Sequence, residues 1–164
     1  MALVAAKFSP QPPCAYTSET ALTHERIPMS PSLLALTMAG KERIEVAGGK
    51  VYGPYSPGVK ANGIIWLAGQ IAPEAGEDVK SQTAASLAKI DQLLDAAGVS
   101  KNDVVFAQVL LDNINDFADM NEVYSKWVEG IEIPPARAAF EVAALPANSM
   151  VEIVIQAVES CCSN

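Results

Sequence analysis

From "KERIEV" onward the apolar positions switch between two spacings, and the switching reads as a succession of strands and helices. "RIEV" and the stretch from Lys50 to Val59 read as a short hairpin around "AGGK", and "GIIWLAGQ" is a compact apolar strand. "VKSQTAASLAKIDQLLDAAG" then sets Ala84, Leu87, Ile90, Leu94 and Ala97 at helical spacing, with Gly98 as the C-terminal stop. "DVVFAQVLL" returns to strand. "NDFADMNEVYSKWVEG" repeats the helical spacing through Phe117, Met120, Tyr124 and Trp127 and ends at Gly130, and "ARAAFEV" and "VEIVIQAV" close the chain as two strands around "AALPANSM".

The order β-β-β-α-β-α-β-β predicts an α+β layer, with two helices on one face of a mixed sheet. In "VVFAQVLL" both alternating sets are largely apolar, so the face away from the helices should be covered as well. No further helix is available to cover it. Self-association is the economical expectation, and a closed or strongly curled sheet is the alternative.

Residues 1–40 show no such periodicity. They are rich in Ala, Ser, Thr and Pro, with "SPQPPCAYTSETALT" as the clearest stretch of breakers, and read as a flexible leader. A transit peptide would be basic and poor in acids, whereas this stretch sets Lys7 and Arg26 against Glu19 and Glu25. Cytoplasmic residence is expected, with mitochondrial or plastid targeting through the leader as the alternative. Met29 and Met38 are alternative starts. The folded domain is expected over 41–159, and 160–164 as a disordered tail.

Composition narrows the chemistry. A chain of 164 residues with 50% hydrophobic and 18% charged residues fits one domain with a real core. No apolar run approaches the roughly 18 residues of a membrane span. The net charge of -8, without any Lys/Arg cluster, argues against nucleic acid as the partner. Cys14, Cys161, Cys162 and the single histidine, His24, all lie outside the patterned region. Ser-His-Asp and Cys-His catalysis are therefore excluded there, and no metal or cofactor is expected.

What remains is Arg137, set among small and apolar residues in "PPARAAFEVAALPANSMVEIVI"; the other arginines, Arg26 and Arg43, precede or open the fold. Alternation puts Arg137, Ala139 and Glu141 on one face of a strand, and Glu152, Val154 and Gln156 together on another. If Ile153, Ile155 and Phe140 face the helices, the polar set faces outward, in a cleft between subunits. Arg137 is then either a clamp for a ligand carboxylate or one half of a salt bridge to Glu152 or Glu141. Spacing leaves both readings open.

"PARAAFEVAALPANSMVEI" resembles the closing motif of the RidA/YjgF reactive-intermediate deaminase family, also called the endoribonuclease L-PSP family. "YGPYSPGV", "LAGQIAP", "AASLAKIDQLLDAAG" and "INDFADMNEVY" extend the resemblance over roughly residues 43–158. It implies a chorismate-mutase-like (ferredoxin-like) homotrimer with sites between subunits. It also implies hydrolysis of imines and enamines derived from 2-aminoacrylate, which pyridoxal-phosphate dehydratases release, to 2-keto acids and ammonia. By that resemblance Arg137 binds the substrate carboxylate, Glu152 positions the attacking water, and Tyr55 and Asn121 fall at pocket positions. Ala68 before "GQ", Ala139 after the arginine and Pro57 after "PYS" depart from the common pattern and bear on substrate range.

This chemistry suits a core without His or Cys, because an iminium carbon is already electrophilic and needs chiefly an oriented water and an oriented substrate. A carboxylate beside an arginine is expected to have a lowered pKa. The competing readings are an endoribonuclease or translation inhibitor, which the acidic balance opposes, and a chorismate mutase, which would call for more cationic groups. A non-catalytic trimeric keto-acid-binding module or chaperone is the third. Glu152 weighs against that one, since a carboxylate facing an anionic ligand is unhelpful unless it handles water or a proton.

Overall fold

The computed structural model describes residues 40–49, 51 and 53–159. The expected leader, apart from its last residue, and the Cys161–Cys162 tail lie outside the described residues.

Six strands form one sheet: β1 (Glu42–Ile44), β2 (Gly58–Ala61), β3 (Ile64–Gln70), β4 (Val104–Leu111), β5 (Ala136–Glu141) and β6 (Val151–Val158). Two helices, α1 (Val79–Ala96) and α2 (Phe117–Trp127), follow β3 and β4. The spatial order is β1-β2-β3-β6-β4-β5, antiparallel throughout except for the parallel pair β4–β5. The last strand thus inserts between β3 and β4, the two strands that α1 connects, and the sheet is mixed, as the element order predicts.

The helices form where the sequence places them, and their ends show why. Asp78 caps α1 by accepting a hydrogen bond from the Ser81 N–H at 2.8 Å. At the other end Gly98 takes φ +77°, the Gly98 N–H bonds the Asp95 carbonyl and the Val99 N–H bonds the Leu94 carbonyl. This double closure leaves Val99 buried beside the helix end, and a glycine meets its backbone at little steric cost.

One sheet face packs on the helices. Ile65, Leu67, Ala107, Val109, Leu111, Val151, Ile153, Ile155 and Ala157 are buried against Leu87, Ile90, Leu94 and Met120. The buried stripe of α1 runs through Thr83, Ser86, Leu87, Ile90 and Leu94, so Ala84, expected inside, is exposed.

Two expectations need correction. The second hairpin strand begins at Gly58 rather than Lys50: β1 and β2 do pair, Glu42 opposite Lys60, but a long connection joins them. Pro54 and Pro57 carry no N–H for a ladder, which keeps that connection out of the sheet.

The second correction concerns β5. Its register sets Ala107 beside Arg137 and Val109 beside Ala139, so Arg137, Ala139 and Glu141 share the helix-facing side. Phe140 lies across Leu110 from Glu152 on the open face and is 44% exposed. Arg137 and Glu152 therefore project from opposite faces of one sheet. The apolar bias of Phe140 misleads because β5 is an edge strand, where pairing register rather than burial decides which side chains turn inward.

The open face carries Ile64, Trp66, Val105, Phe140 and Val158, each 38–46% exposed. Both faces of β4 are thus apolar, but the described residues supply a cover for only one.

Candidate functional site

The arginine comes first. β5 presents Arg137 to α2, where its guanidinium carbon lies 4.6 Å from the Tyr124 ring centroid and 5.7 Å from that of Phe117. No ion pair among the described residues involves Arg137. Both proposed protein partners are committed elsewhere or out of reach. Glu141 accepts a hydrogen bond from the Ile114 N–H at 2.8 Å, and Glu152 is on the far side of the sheet, two strands away, about 10 Å at ordinary strand spacing. The salt-bridge alternative for Arg137 is therefore not realised within the chain. Ring faces hold the cation without using its N–H donors.

Asn121 belongs to this group by helical geometry, since Phe117, Asn121 and Tyr124 fall on one stripe of α2. Asn121 is half-buried.

Glu152 sits on the open face of β6. Opposite it, β3 bulges: Leu67 pairs Ile155 and Gln70 pairs Ile153, so β3 spends one more residue than β6 over the same span. The extra residue brings Gly69 against the Glu152 side chain. A Cβ at Gly69 would overlap the carboxyl group and approach Glu152 Cγ to 2.8 Å, so only glycine leaves this resting place open. Burial raises the pKa of Glu152, and no nearby cation opposes the shift. The expected lowering by Arg137 does not occur within one chain, because the two groups are on opposite faces.

Tyr55 is 43% exposed and stands at a cavity of about 660 Å³ beneath the β1–β2 connection. Pro57, Gly69, Gln70 and Ala147 line the same cavity, with Lys89 of α1 on the far wall. Lys89 is occupied there, donating to the Ile71 carbonyl at 2.7 Å and to Glu74 at 2.6 Å. Gly69 thus borders both the Glu152 carboxylate and the cavity that Tyr55 lines, whereas Arg137 and Asn121 form a separate group beyond β4.

Sequence reading set Phe117 and Tyr124 at helical spacing without a role in the site and gave Gly69 no role. The signal for the first was present, because an arginine-bearing edge strand follows the helix directly. For Gly69 the bulge has no periodic signature, and only a glycine next to the end of a strand hinted at it.

Gly69→Ala should displace the Glu152 carboxylate, while the thermal midpoint stays within a few degrees of wild type. A crystal structure of the variant beside a melting curve would check this. A carboxylate left in place in the variant would show that its position does not depend on the glycine.

Residues 48–159 match the family model "Endoribonuclease L-PSP". A RutC family protein of Pyrococcus horikoshii is 46% identical over 110 residues, covering 63% of this chain and 86% of its own. The mouse 2-iminobutanoate/2-iminopropanoate deaminase is 40% identical over 113 residues, 65% of this chain and 82% of its own. Among solved structures, Escherichia coli TdcF with bound serine superposes with a TM-score of 0.66 at 34% identity, covering 73% of this chain and 99% of that one.

Proposed function

Because this chain belongs to the endoribonuclease L-PSP family, the RidA/YjgF group, we propose that its two separated residue groups are halves of one intersubunit site for hydrolytic deamination of 2-imino acids. The observation that carries the reading is Arg137, a cation seated on two aromatic faces with no carboxylate partner among the described residues. Such a group is suited to an external carboxylate, which it would bind bidentately. The apolar open face gives a reason for chains to associate, and the family resemblance gives a homotrimer as the assembly.

In this reading one protomer supplies Arg137 and Asn121, and its neighbour supplies Glu152 and Tyr55. Arg137 holds the substrate carboxylate, which places the iminium carbon beside a water bound to Glu152. The water oxygen bonds to that carbon, the C=N π pair moves to nitrogen, and a water proton passes to Glu152. Glu152 then returns the proton to the amino group. The C–N bond breaks with its electron pair on nitrogen, the hydroxyl proton passes to the departing ammonia, and a 2-keto acid and ammonium remain. Burial of Glu152 favours its protonated form and so opposes the lowering by a neighbour's Arg137, which keeps the carboxylate a competent acceptor for the first transfer. Tyr55 lines the same cavity as Gly69, where it would border the substrate side chain.

The substrate class is that of the enamines and imines formed from serine and threonine by pyridoxal-phosphate dehydratases. Coupling such a dehydratase to this protein should accelerate keto-acid appearance with wild type and leave the spontaneous rate with Arg137→Ala. Equal rates with and without the wild-type protein would overturn the proposal and leave a carboxylate-binding module.

A further inference from the structure

We propose that Tyr124, aided by Phe117, is the positioning residue for Arg137. Its ring face fixes the guanidinium plane while leaving the N–H fork free for the substrate carboxylate. The inference rests on the carboxylate-clamp reading of Arg137 given above.

An arginine on an edge strand has several rotatable bonds and would normally be mobile in solvent. A carboxylate neighbour would fix it, but would also occupy the donors that a ligand needs. An aromatic face fixes it from the other direction. Tyr124 is 6% exposed and its ring lies closest to the guanidinium, with Phe117 one face further along the same stripe.

The seat is itself held from behind. The Trp127 ring packs on Tyr124 at 5.5 Å between centroids and 51° between planes. Its indole N–H donates to Asp91 of α1 at 2.8 Å, and its backbone carbonyl accepts from Lys101 at 2.8 Å. The line Asp91–Trp127–Tyr124–Arg137 therefore runs from the α1–α2 interface to the guanidinium. Phe117, by contrast, is 38% exposed, as expected of the side from which a ligand arrives.

The Tyr124 hydroxyl is buried without a hydrogen-bond partner. A bare ring should serve as well, because an unpaired buried hydroxyl carries a desolvation cost and contributes nothing to a cation held over the ring face.

The test measures KM and kcat on dehydratase-generated imine, and the Kd of 2-ketobutyrate by calorimetry, with the full-length protein. Tyr124→Leu should raise KM and Kd about 3- to 30-fold, the range of a cation–π contact, with kcat within about twofold. Tyr124→Phe should restore both constants to wild-type values. Phe117→Leu, at a position 38% exposed, should raise them about two- to fivefold and decides the matter if Tyr124→Leu fails to fold. Unchanged KM and Kd in Tyr124→Leu, or in Phe117→Leu where only that variant folds, would overturn the seat. So would a Tyr124→Phe variant as impaired as Tyr124→Leu, which would assign the work to the hydroxyl. Arg137→Ala is the control: wild-type constants there would overturn the clamp itself, whereas loss there with normal Tyr124→Leu constants would overturn the seat alone.

Discussion

Equal amounts of the Arg137→Ala and Glu152→Gln chains, each inactive alone, should recover about a quarter of the wild-type rate after being unfolded together and refolded. Arg137→Ala alone is expected to lose at least about 10²-fold in kcat/KM, since it removes both the charge and the orientation of the substrate. The recovery follows from the sheet. Arg137 shares a face with Ala107 and Val109, while Glu152 shares the other with Leu110, so a site that uses both must draw them from two chains. In a ring of chains mixed at random, about one interface in four joins an intact arginine to an intact glutamate, whatever the ring size. Activity assayed after refolding the mixture checks this, beside each variant refolded alone. A mixture as inactive as its components would sink the shared site.

Glu152→Gln is expected to lower kcat about 10²- to 10⁴-fold with little change in KM, the usual worth of a positioned proton carrier. The same substitution should have a second effect, on stability, opposite in sign to that of a structural salt bridge. Burial raises the folded-state pKa of Glu152 above the ordinary carboxylate value of 4.5. For a group raised in this way, the favourable contribution is fully present below the unfolded pKa and is lost as pH rises through the folded one. Ionised Glu152 is thus a burden at neutral pH and none in acid. A neighbour's Arg137 would offset that burden in the assembled protein, so the effect is cleanest in the Arg137→Ala background. There Glu152→Gln should raise the urea midpoint near about pH 7 and leave it unchanged near about pH 4. A lower midpoint at neutral pH would mean that the carboxylate is held by a partner and serves the fold.

The element order was legible because spacing changes from two to 3.6 where strands give way to helices, and Gly98 and Gly130, both at positive φ, punctuate the ends. Arg137 was legible by its isolation in composition. Its surroundings were not. Tyr124 and Phe117 look like core residues at helical spacing, and nothing in the one-dimensional pattern tells a ring packed on leucine from one packed beneath a guanidinium.

The start of β2 was placed too early for a related reason: "VYGPYS" alternates well enough, but alternation does not reveal whether a partner strand is within reach. Proline does carry such information, since it removes ladder donors at Pro54 and Pro57.

The sequence alone determined the α+β order, the isolation of Arg137, and the absence of histidine and cysteine from the patterned region, and by family resemblance it offered Arg137 and Glu152 as the candidate pair. Those properties follow from residue identity and local period. The tertiary structure decided that the pair lies on opposite faces of the sheet, that Gly69 cradles the carboxylate and that two aromatic rings seat the cation. Each of these depends on strand register, where a shift of one residue exchanges the two faces, and register is set by pairing across the whole sheet rather than by any local stretch of chain.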